Sequence, residues 1–400
     1  MRILFITPYY KPAVVYGGPT KSIATLCEAI TRQGTEVSVY TTDLNGSERL
    51  ESTPLHHPVE VDGVLVHYFP ISQAFLYYSH GITKALRETV SDFDLVVYEI
   101  LWSPIFILGA HECQRRNVPY ISTVRNQLFP WALEKSSFRK HLFLRLGGWK
   151  GLNEASAIRC TTHLEVDAVR ALKLKPPTFI LPNGIELDTV RESPGQSNIT
   201  GKMQIPEDAL VMIFLGRLTR TKRPDLAIDA LRAVQVLDYM VHLVFVGPDE
   251  NGMMAELSQQ AKKYSLSDKV HFTGLLTHTE VNNALKDADL MLLPSEVQEN
   301  FSMSTVEAMA AGVPVLVSTG VPVGRWAEAA GAGQVVPCTA EAFSQATIEM
   351  LADREALKAM GARGKILVKE KFDIDVIARQ MLAQYQAIID TGKPLPEVAS

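Results

Sequence analysis

The segment from Leu290 to Val317 constrains the fold most. Leu290, Met291, Leu292 and Leu293 form a short apolar run stopped by Pro294, the pattern of a strand buried on both faces of a parallel sheet. Polar residues from Ser295 to Asn300 read as a loop. Ser302 and Ser304 are candidate N-caps for a helix that carries Val306, Ala308, Met309 and Ala310. Gly312 and Pro314 end that helix, and Val313 to Val317 reads as the next buried strand. Strand, loop, helix and strand in this order make an α/β chain with a parallel sheet. In such sheets ligands bind outside the carboxyl ends of the strands.

Glu299 lies in that loop and Glu307 in the helix, with seven residues between them. The helix N-terminus presents free N–H groups and a positive dipole end, which suit a phosphate. Carboxylates beside an anion site suit hydroxyls attached to the phosphate rather than the phosphate itself, so a sugar nucleotide fits the pattern. Spacing alone leaves a plainer reading open: Ser304 and Glu307 as a capping box, with Glu299 a solvated loop residue.

The chain has 400 residues, enough for two α/β domains with full cores. A net charge of −5 gives no bulk electrostatic case for nucleic-acid binding. The four cysteines, Cys27, Cys113, Cys160 and Cys338, are scattered without metal-ligand or disulfide-framework spacing, as in a reducing compartment. The N-terminal apolar run, Ile3 to Thr7, reads as a strand rather than a leader, and no segment has the ~20 apolar residues of a membrane span. The aspartate pairs at 92/94, 287/289 and 373/375 read as caps or turns, so neither a metal nor a cofactor is expected.

Along the chain, Ile3–Thr7 is followed by a loop with Gly17 and Gly18 at the entrance of a helix bearing Ile23, Leu26, Cys27 and Ile30. The two glycines suit close backbone approach to a diphosphate or sugar. Further strands fall at 36–41, 64–69, 95–98, 119–124, 157–161 and 178–181. The polar stretch 191–201 reads as an interdomain linker. The second domain opens with the strand 210–216, followed at once by Arg217 and then by Lys222, two cations suited to a diphosphate. Strands at 242–247 and 270–273 follow, then helical segments from 343 to 389. Between Lys135 and Lys150, basic residues alternate with Phe138, Leu142, Phe143, Leu146 and Trp149. A core-packed helix with a solvated basic face is the preferred reading, and a helix lying on an anionic membrane surface the alternative.

The segment SEVQENFSMSTVEAMAAGVPVLVS resembles the Glu-(seven residues)-Glu region of the retaining nucleotide-sugar glycosyltransferases of family 4 (glycosyl transferases group 1). Gly216-Arg217-Leu218 with Lys222 is similar to that family's Gly-Arg-Leu-x-x-x-Lys, and Pro182-Asn183-Gly184 to its Pro-Asn-Gly. Asn300 and Ser302 stand where the family has glycines, and Asn300 is expected to keep the left-handed turn. Arg125 and Asn126 stand where many relatives have His-Gly, so no role is carried to them; Arg125 is left between an anion contact and a structural ion pair.

The resemblance implies a GT-B fold, two Rossmann-like domains facing each other across a donor-binding cleft. The expected boundaries are 1–190 for the acceptor-binding domain, 191–371 for the nucleotide-sugar-binding domain, and 372–400 for a helix crossing back to the first domain. It implies metal-independent, retaining transfer of a sugar from a nucleotide-diphosphate sugar to a glycan or lipid-linked acceptor, in cell-surface polysaccharide or lipopolysaccharide biosynthesis. Glu299, Arg217 and Lys222 would carry the chemistry, and Gly17, Gly18, Phe301, Ser302, Met303, Thr305, Glu307 and Leu276 would hold the donor. A cytoplasmic enzyme is expected, with peripheral membrane contact through the basic helix near 135–150. A sugar-nucleotide 2-epimerase of the same fold and a non-catalytic sugar-nucleotide-binding subunit remain alternatives.

Overall fold

The computed structural model describes every residue except 14–17, 52, 56, 135–136, 188–198, 238–239, 297–298 and 397–400. Gly17, Lys135 and most of the expected linker therefore lie outside the described residues. The chain divides into two compact units, Met1–Gly184 with Ile374–Ser400, and Ile185–Asp373. The last helix, Ile374–Thr391, thus belongs to the first unit, where Ile377, Met381 and Tyr385 are buried in its core.

In the first unit the strands are β1 (Arg2–Ile6), β2 (Glu36–Thr42), the small hairpin β3 (Leu44–Asn45) and β4 (Glu48–Arg49), β5 (Val59–Val61), β6 (Val64–Phe69), β7 (Leu95–Tyr98), β8 (Tyr120–Thr123), β9 (Ala157–Cys160) and β10 (Thr178–Ile180). The main sheet has the order β10-β9-β8-β7-β1-β2-β6-β5. Only its edge pair β5–β6 is antiparallel. The apolar runs explain the arrangement: β1 and β7 are buried nearly throughout, because helices cover both faces. The first helix, Gly18–Arg32, buries Ile23, Leu26, Cys27 and Ile30.

The second unit holds β11 (Leu210–Leu215), β12 (Val241–Val246), β13 (Val270–Gly274), β14 (Leu290–Leu293), β15 (Val315–Ser318) and β16 (Gly333–Val336). Their order is β13-β12-β11-β14-β15-β16, with every pairing parallel. This is the doubly wound order of a dinucleotide-binding fold, and it reverses direction between β11 and β14. Connections on either side of that point leave to opposite faces, so a crevice opens at the carboxyl ends of these two strands.

Among the described residues, no helix is long and apolar enough to cross a membrane. The segment expected to pack in the core, 135–150, does so on one side only. Phe143 meets the rings of Trp102 and Phe106 at 5.2 and 6.3 Å, but Phe138 and Leu146 are 80% and 67% exposed. The preferred core-packed reading is corrected accordingly: the stripe splits, with Phe143 inward and the other four residues outward.

Candidate donor site in the second unit

The crevice between β11 and β14 is lined by residues the sequence singles out. β11 ends at Leu215, and Gly216 follows with φ +151°. Gly247, just after β12, comes so close that a Cβ there would lie 2.0 Å from the Gly216 carbonyl oxygen. Two glycines at this contact let the chain turn outward directly above the sheet, which puts Arg217 at the strand end. Arg217 Nη1 lies 2.8 Å from Glu250 Oε1, and its side chain is 63% exposed. Glu250 is a partner that sequence reading missed; it follows β12 in the Gly-Pro-Asp-Glu turn, a loop at the carboxyl end of a neighbouring strand.

Lys222 closes a short 3-10 turn, Arg220–Lys222. Its Nζ lies 2.9 Å from Glu299 Oε1, with side chains only 14% and 18% exposed. The loop holding Glu299 is tied down at several points. Ser295 Oγ donates to Glu299 Oε1 at 3.0 Å, the Glu296 N–H donates to the Thr221 carbonyl at 2.8 Å, and the Glu299 N–H donates to the Gly320 carbonyl at 2.8 Å. Ser318 Oγ in turn donates to the Ser295 carbonyl at 2.5 Å. A cation from the β11 loop and a carboxylate from the β14 loop are thus brought together in a largely preorganised pair.

The helix Met303–Ala311 starts immediately beyond. Its N-cap is Ser302, but the Ser302 side chain caps nothing. Instead Ser302 has a left-handed backbone, φ +69°, and its Oγ lies 2.8 Å from Thr305 Oγ1. Two expectations are corrected here. The left-handed turn sits at Ser302, not at Asn300, which has no positive φ. Ser304 is the second residue of the helix rather than an N-cap, so the Ser304–Glu307 capping box does not form. The turn rotates the N-cap hydroxyl away from the helix end and leaves the amides of the first turn without a side-chain cap.

Thr305 is fully buried, and its hydroxyl reaches Ser302. That contact holds the Ser302 turn at the helix entrance. Phe301 is also buried, packed edge-on against Trp326 and Phe372 with centroids at 6.1 and 5.5 Å. That anchor fixes the backbone of Phe301, Ser302 and Met303 at the helix entrance. Glu307 lies one turn further along, half-buried. Leu276, half-buried after β13, packs against the same core.

In the first unit, Gly18 opens the first helix, and a Cβ there would meet nothing within 4 Å. Beside it lies a buried charge cluster that sequence reading did not find. Glu99, after β7, lies 2.6 Å from Arg125 Nε and 3.5 Å from Arg159 Nη1, with all three side chains at most 7% exposed. Arg125 also donates to Ser22 Oγ at 3.1 Å. Arg125 is therefore a structural ion-pair partner, the second of the two readings left open. Burial pushes the Glu99 carboxyl up, but Arg125, Arg159 and the bonds from Arg125 and Thr123 outweigh it and hold it below the usual carboxylate range. Glu165 goes the other way: burial raises it despite hydrogen bonds from the Thr161 and Asn126 backbone. The cluster is invisible locally because its members lie far apart in the chain and meet only where β7, β8 and β9 run side by side.

One aspartate of each pair holds a backbone or surface partner. Asp94 accepts from the Arg2 N–H at 2.7 Å, Asp289 from the Val211 N–H at 2.8 Å, and Asp375 pairs with Arg32 at 3.2 Å. Among the described residues no group of three or more metal-ligating side chains occurs.

Comparison with known proteins agrees with this geometry. Residues 196–366 match the family model described as glycosyl transferases group 1, and residues 16–189 the one described as Glycosyltransferase Family 4. A lipopolysaccharide 1,2-N-acetylglucosaminetransferase of Salmonella typhimurium is 28% identical over 218 residues, covering 53% of this chain and 57% of that protein. An alpha-monoglucosyldiacylglycerol synthase of Streptococcus pneumoniae is 25% identical over 328 residues, covering 79% of this chain and 70% of that protein. The match to the first of these relatives thus spans little more than half its length. Among solved structures, Anabaena Alr3699/HepE in complex with UDP and glucose superposes with a TM-score of 0.73 at 19% identity, covering 97% of this chain and 100% of that one. WaaG, a glycosyltransferase involved in lipopolysaccharide biosynthesis, superposes at 0.66 and 18% identity, covering 97% and 100%. The two family matches, lying end to end along an α/β chain with the parallel sheets of the GT-B fold, place this protein among the glycosyl transferases of group 1.

Proposed function

We propose that this chain is a retaining, metal-independent glycosyltransferase. It would move a sugar from a nucleotide-diphosphate sugar to a glycan or lipid-linked acceptor, in the building of lipopolysaccharide or cell-surface polysaccharide, in the cytoplasm at the inner face of a membrane. The observation that carries the reading is the Lys222–Glu299 pair, 2.9 Å apart at the switch point beside the uncapped N-terminus of helix Met303–Ala311. The relatives support it: one is a lipopolysaccharide 1,2-N-acetylglucosaminetransferase, another an alpha-monoglucosyldiacylglycerol synthase, and one structural neighbour is in complex with UDP and glucose.

In this reading Arg217 and Lys222 meet the diphosphate, Arg217 by leaving Glu250 and Lys222 by turning from Glu299. The N–H groups of Phe301, Ser302 and Met303 meet sugar and phosphate oxygens. Glu299, fixed by Ser295, accepts hydrogen bonds from the donor sugar, and Glu307 from the ribose. Leu276 borders the base. Negative charge grows on the diphosphate as the glycosidic bond loosens, and the two cations, once turned to it on donor binding, stabilise that charge together with the helix-end dipole. The acceptor falls to the first unit, near Gly17 and Gly18.

The test is product stereochemistry. The chain is incubated with its nucleotide sugar and acceptor in the presence of EDTA, and the anomeric proton coupling of donor and product is compared by NMR. The expected result is one configuration in both and turnover unaffected by chelation. Inversion, or loss of turnover with EDTA, contradicts the mechanism; release of nucleotide without transfer favours the epimerase reading.

A further inference from the structure

The helical segment running from Ser137 to Asn153 is apolar in two directions. Phe143 faces inward, and a break at Gly147, φ +129°, presses the chain against the helix Pro104–Arg116: a Cβ on Gly147 would lie 2.8 Å from Ile107. The outer side carries Phe138, Leu142, Leu146 and Trp149, at 80%, 45%, 67% and 41% exposure. The first three are spaced four residues apart and share a face. Phe75 joins the patch, 64% exposed, with the Arg139 guanidinium 3.8 Å above its ring. Isolated exposed apolar residues are ordinary in proteins, but four large ones within the stretch 138–149, with Phe75 beside them, are not.

Charge identifies what covers the ridge. The chain as a whole carries −5, yet residues 137–153 hold Arg139, Lys140, Arg145 and Lys150 and no Asp or Glu. Arg139, Arg145 and Lys150 are exposed alongside the apolar residues. Next to them opens a cavity of about 730 Å³ to which Leu146, Lys150, His111, Arg87 and Arg115 contribute. Glu112, in the same wall, pairs with Arg115 at 2.7 Å and Arg87 at 3.7 Å.

We propose that this face of the first unit docks on an anionic phospholipid bilayer. Phe138, Leu142, Leu146 and Trp149 enter the interface between headgroups and acyl chains, Arg139, Arg145 and Lys150 lie among the phosphates, and the adjoining cavity receives a headgroup. Cations interleaved with large exposed apolar side chains along one short segment are what an interfacial anchor requires. A second copy of this chain would bring the same cations against each other. The surface deepens the membrane-side reading of the proposed function but stands apart from the donor site, so the two fail separately.

The test is flotation of the full chain with phosphatidylcholine vesicles, with and without phosphatidylglycerol, at low and high salt. The expected result is binding that needs phosphatidylglycerol and weakens with salt. The pair Arg139→Glu and Arg145→Glu should lower partitioning more than roughly twentyfold, since each basic residue at an anionic surface contributes roughly fivefold. The pair Leu146→Ser and Trp149→Ser should lower it at low and high salt alike. Unfolding midpoints and nucleotide-induced stabilisation should stay as in the unsubstituted chain for the exposed arginine pair, which separates lost docking from lost folding. Wild-type protein that stays with the soluble fraction, arginine variants that float as well as wild type, or a dimer that the Ser variants dissolve would each overturn the proposal. Absent nucleotide stabilisation with intact flotation would instead count against the donor site.

Discussion

Lys222→Met separates the roles assigned to the central ion pair. At 2.9 Å and an effective dielectric of about 20, Coulomb attraction between Lys222 and Glu299 is roughly 6 kcal/mol, most of it cancelled by desolvation of both groups. Side chains 14% and 18% exposed still touch water, and Ser295 continues to donate to Glu299, so the substitution should cost about 1–2 kcal/mol of stability. Its effect on nucleotide binding should be larger. A charge-assisted bond to the diphosphate is worth about 2 kcal/mol, or roughly thirtyfold in Kd. Titration calorimetry with the nucleoside diphosphate alone reads this without the sugar. Glu299→Gln should leave diphosphate affinity within about threefold, because it removes a competitor for Lys222 and nothing that touches phosphate. The same variant should weaken the nucleotide sugar by about 1.5 kcal/mol, roughly tenfold, through the lost charged acceptor. Unchanged diphosphate binding in Lys222→Met, or equal loss in Glu299→Gln, would refute the division of labour.

Three further outcomes follow from the same structure. Ser302→Gly should change stability by less than about 1 kcal/mol, relief of the left-handed backbone offsetting the lost Thr305 hydrogen bond, whereas Ser302→Val should cost more than about 2 kcal/mol in urea unfolding. Glu99→Gln leaves Arg125 and Arg159 buried without their paired carboxylate and should cost about 3–5 kcal/mol by the same measurement; a loss below about 1 kcal/mol would show that the buried arginines do not depend on Glu99. His242 and His271 stack with Nδ1 and Nε2 3.0 Å apart, and burial lowers both imidazoles, with His271 and then Lys269 adding to the effect at His242 and Asp268 opposing it at both. A lowered folded-state pKa means the unfolded chain binds protons first, so stability is retained above the usual imidazole range near pH 6.5 and falls as pH drops below it, by up to ~1.4 kcal/mol per unit for each histidine. Urea unfolding at about pH 7 and about pH 5 should show that fall, and His271→Gln should flatten it.

Much of this was readable in the chain because apolar runs in a parallel sheet are long and unmixed. Leu290–Leu293 and Leu95–Tyr98 coincide with their strands, and the cations and carboxylates of the donor site follow strands directly, where fold geometry gathers them. What was not readable depended on context. β16, Gly333–Val336, and the helix Gly324–Ala329 are short and rich in small residues, and local pattern does not mark them. Ser302 hides a left-handed turn because serine rarely adopts one; the burial of Thr305 and Phe301 around it holds the backbone there. The stripe from Phe138 to Trp149 has helical spacing whether it faces a core or a bilayer, and only exposure distinguishes the two. Glu99, Arg125, Arg159 and Glu165 are ordinary charged residues until the sheet order brings them together.

Binding of a nucleotide sugar by the second unit is the central claim, and thermal unfolding tests it directly. Wild type and Arg217→Ala are heated with UDP, GDP, ADP and their sugars, with and without EDTA. A donor at about 100 times its Kd adds about 2.7 kcal/mol of stability. One nucleotide series is expected to raise the unfolding temperature, EDTA to leave the rise intact, and Arg217→Ala to diminish it. A flat response to every nucleotide would contradict the donor site and the transfer mechanism built on it.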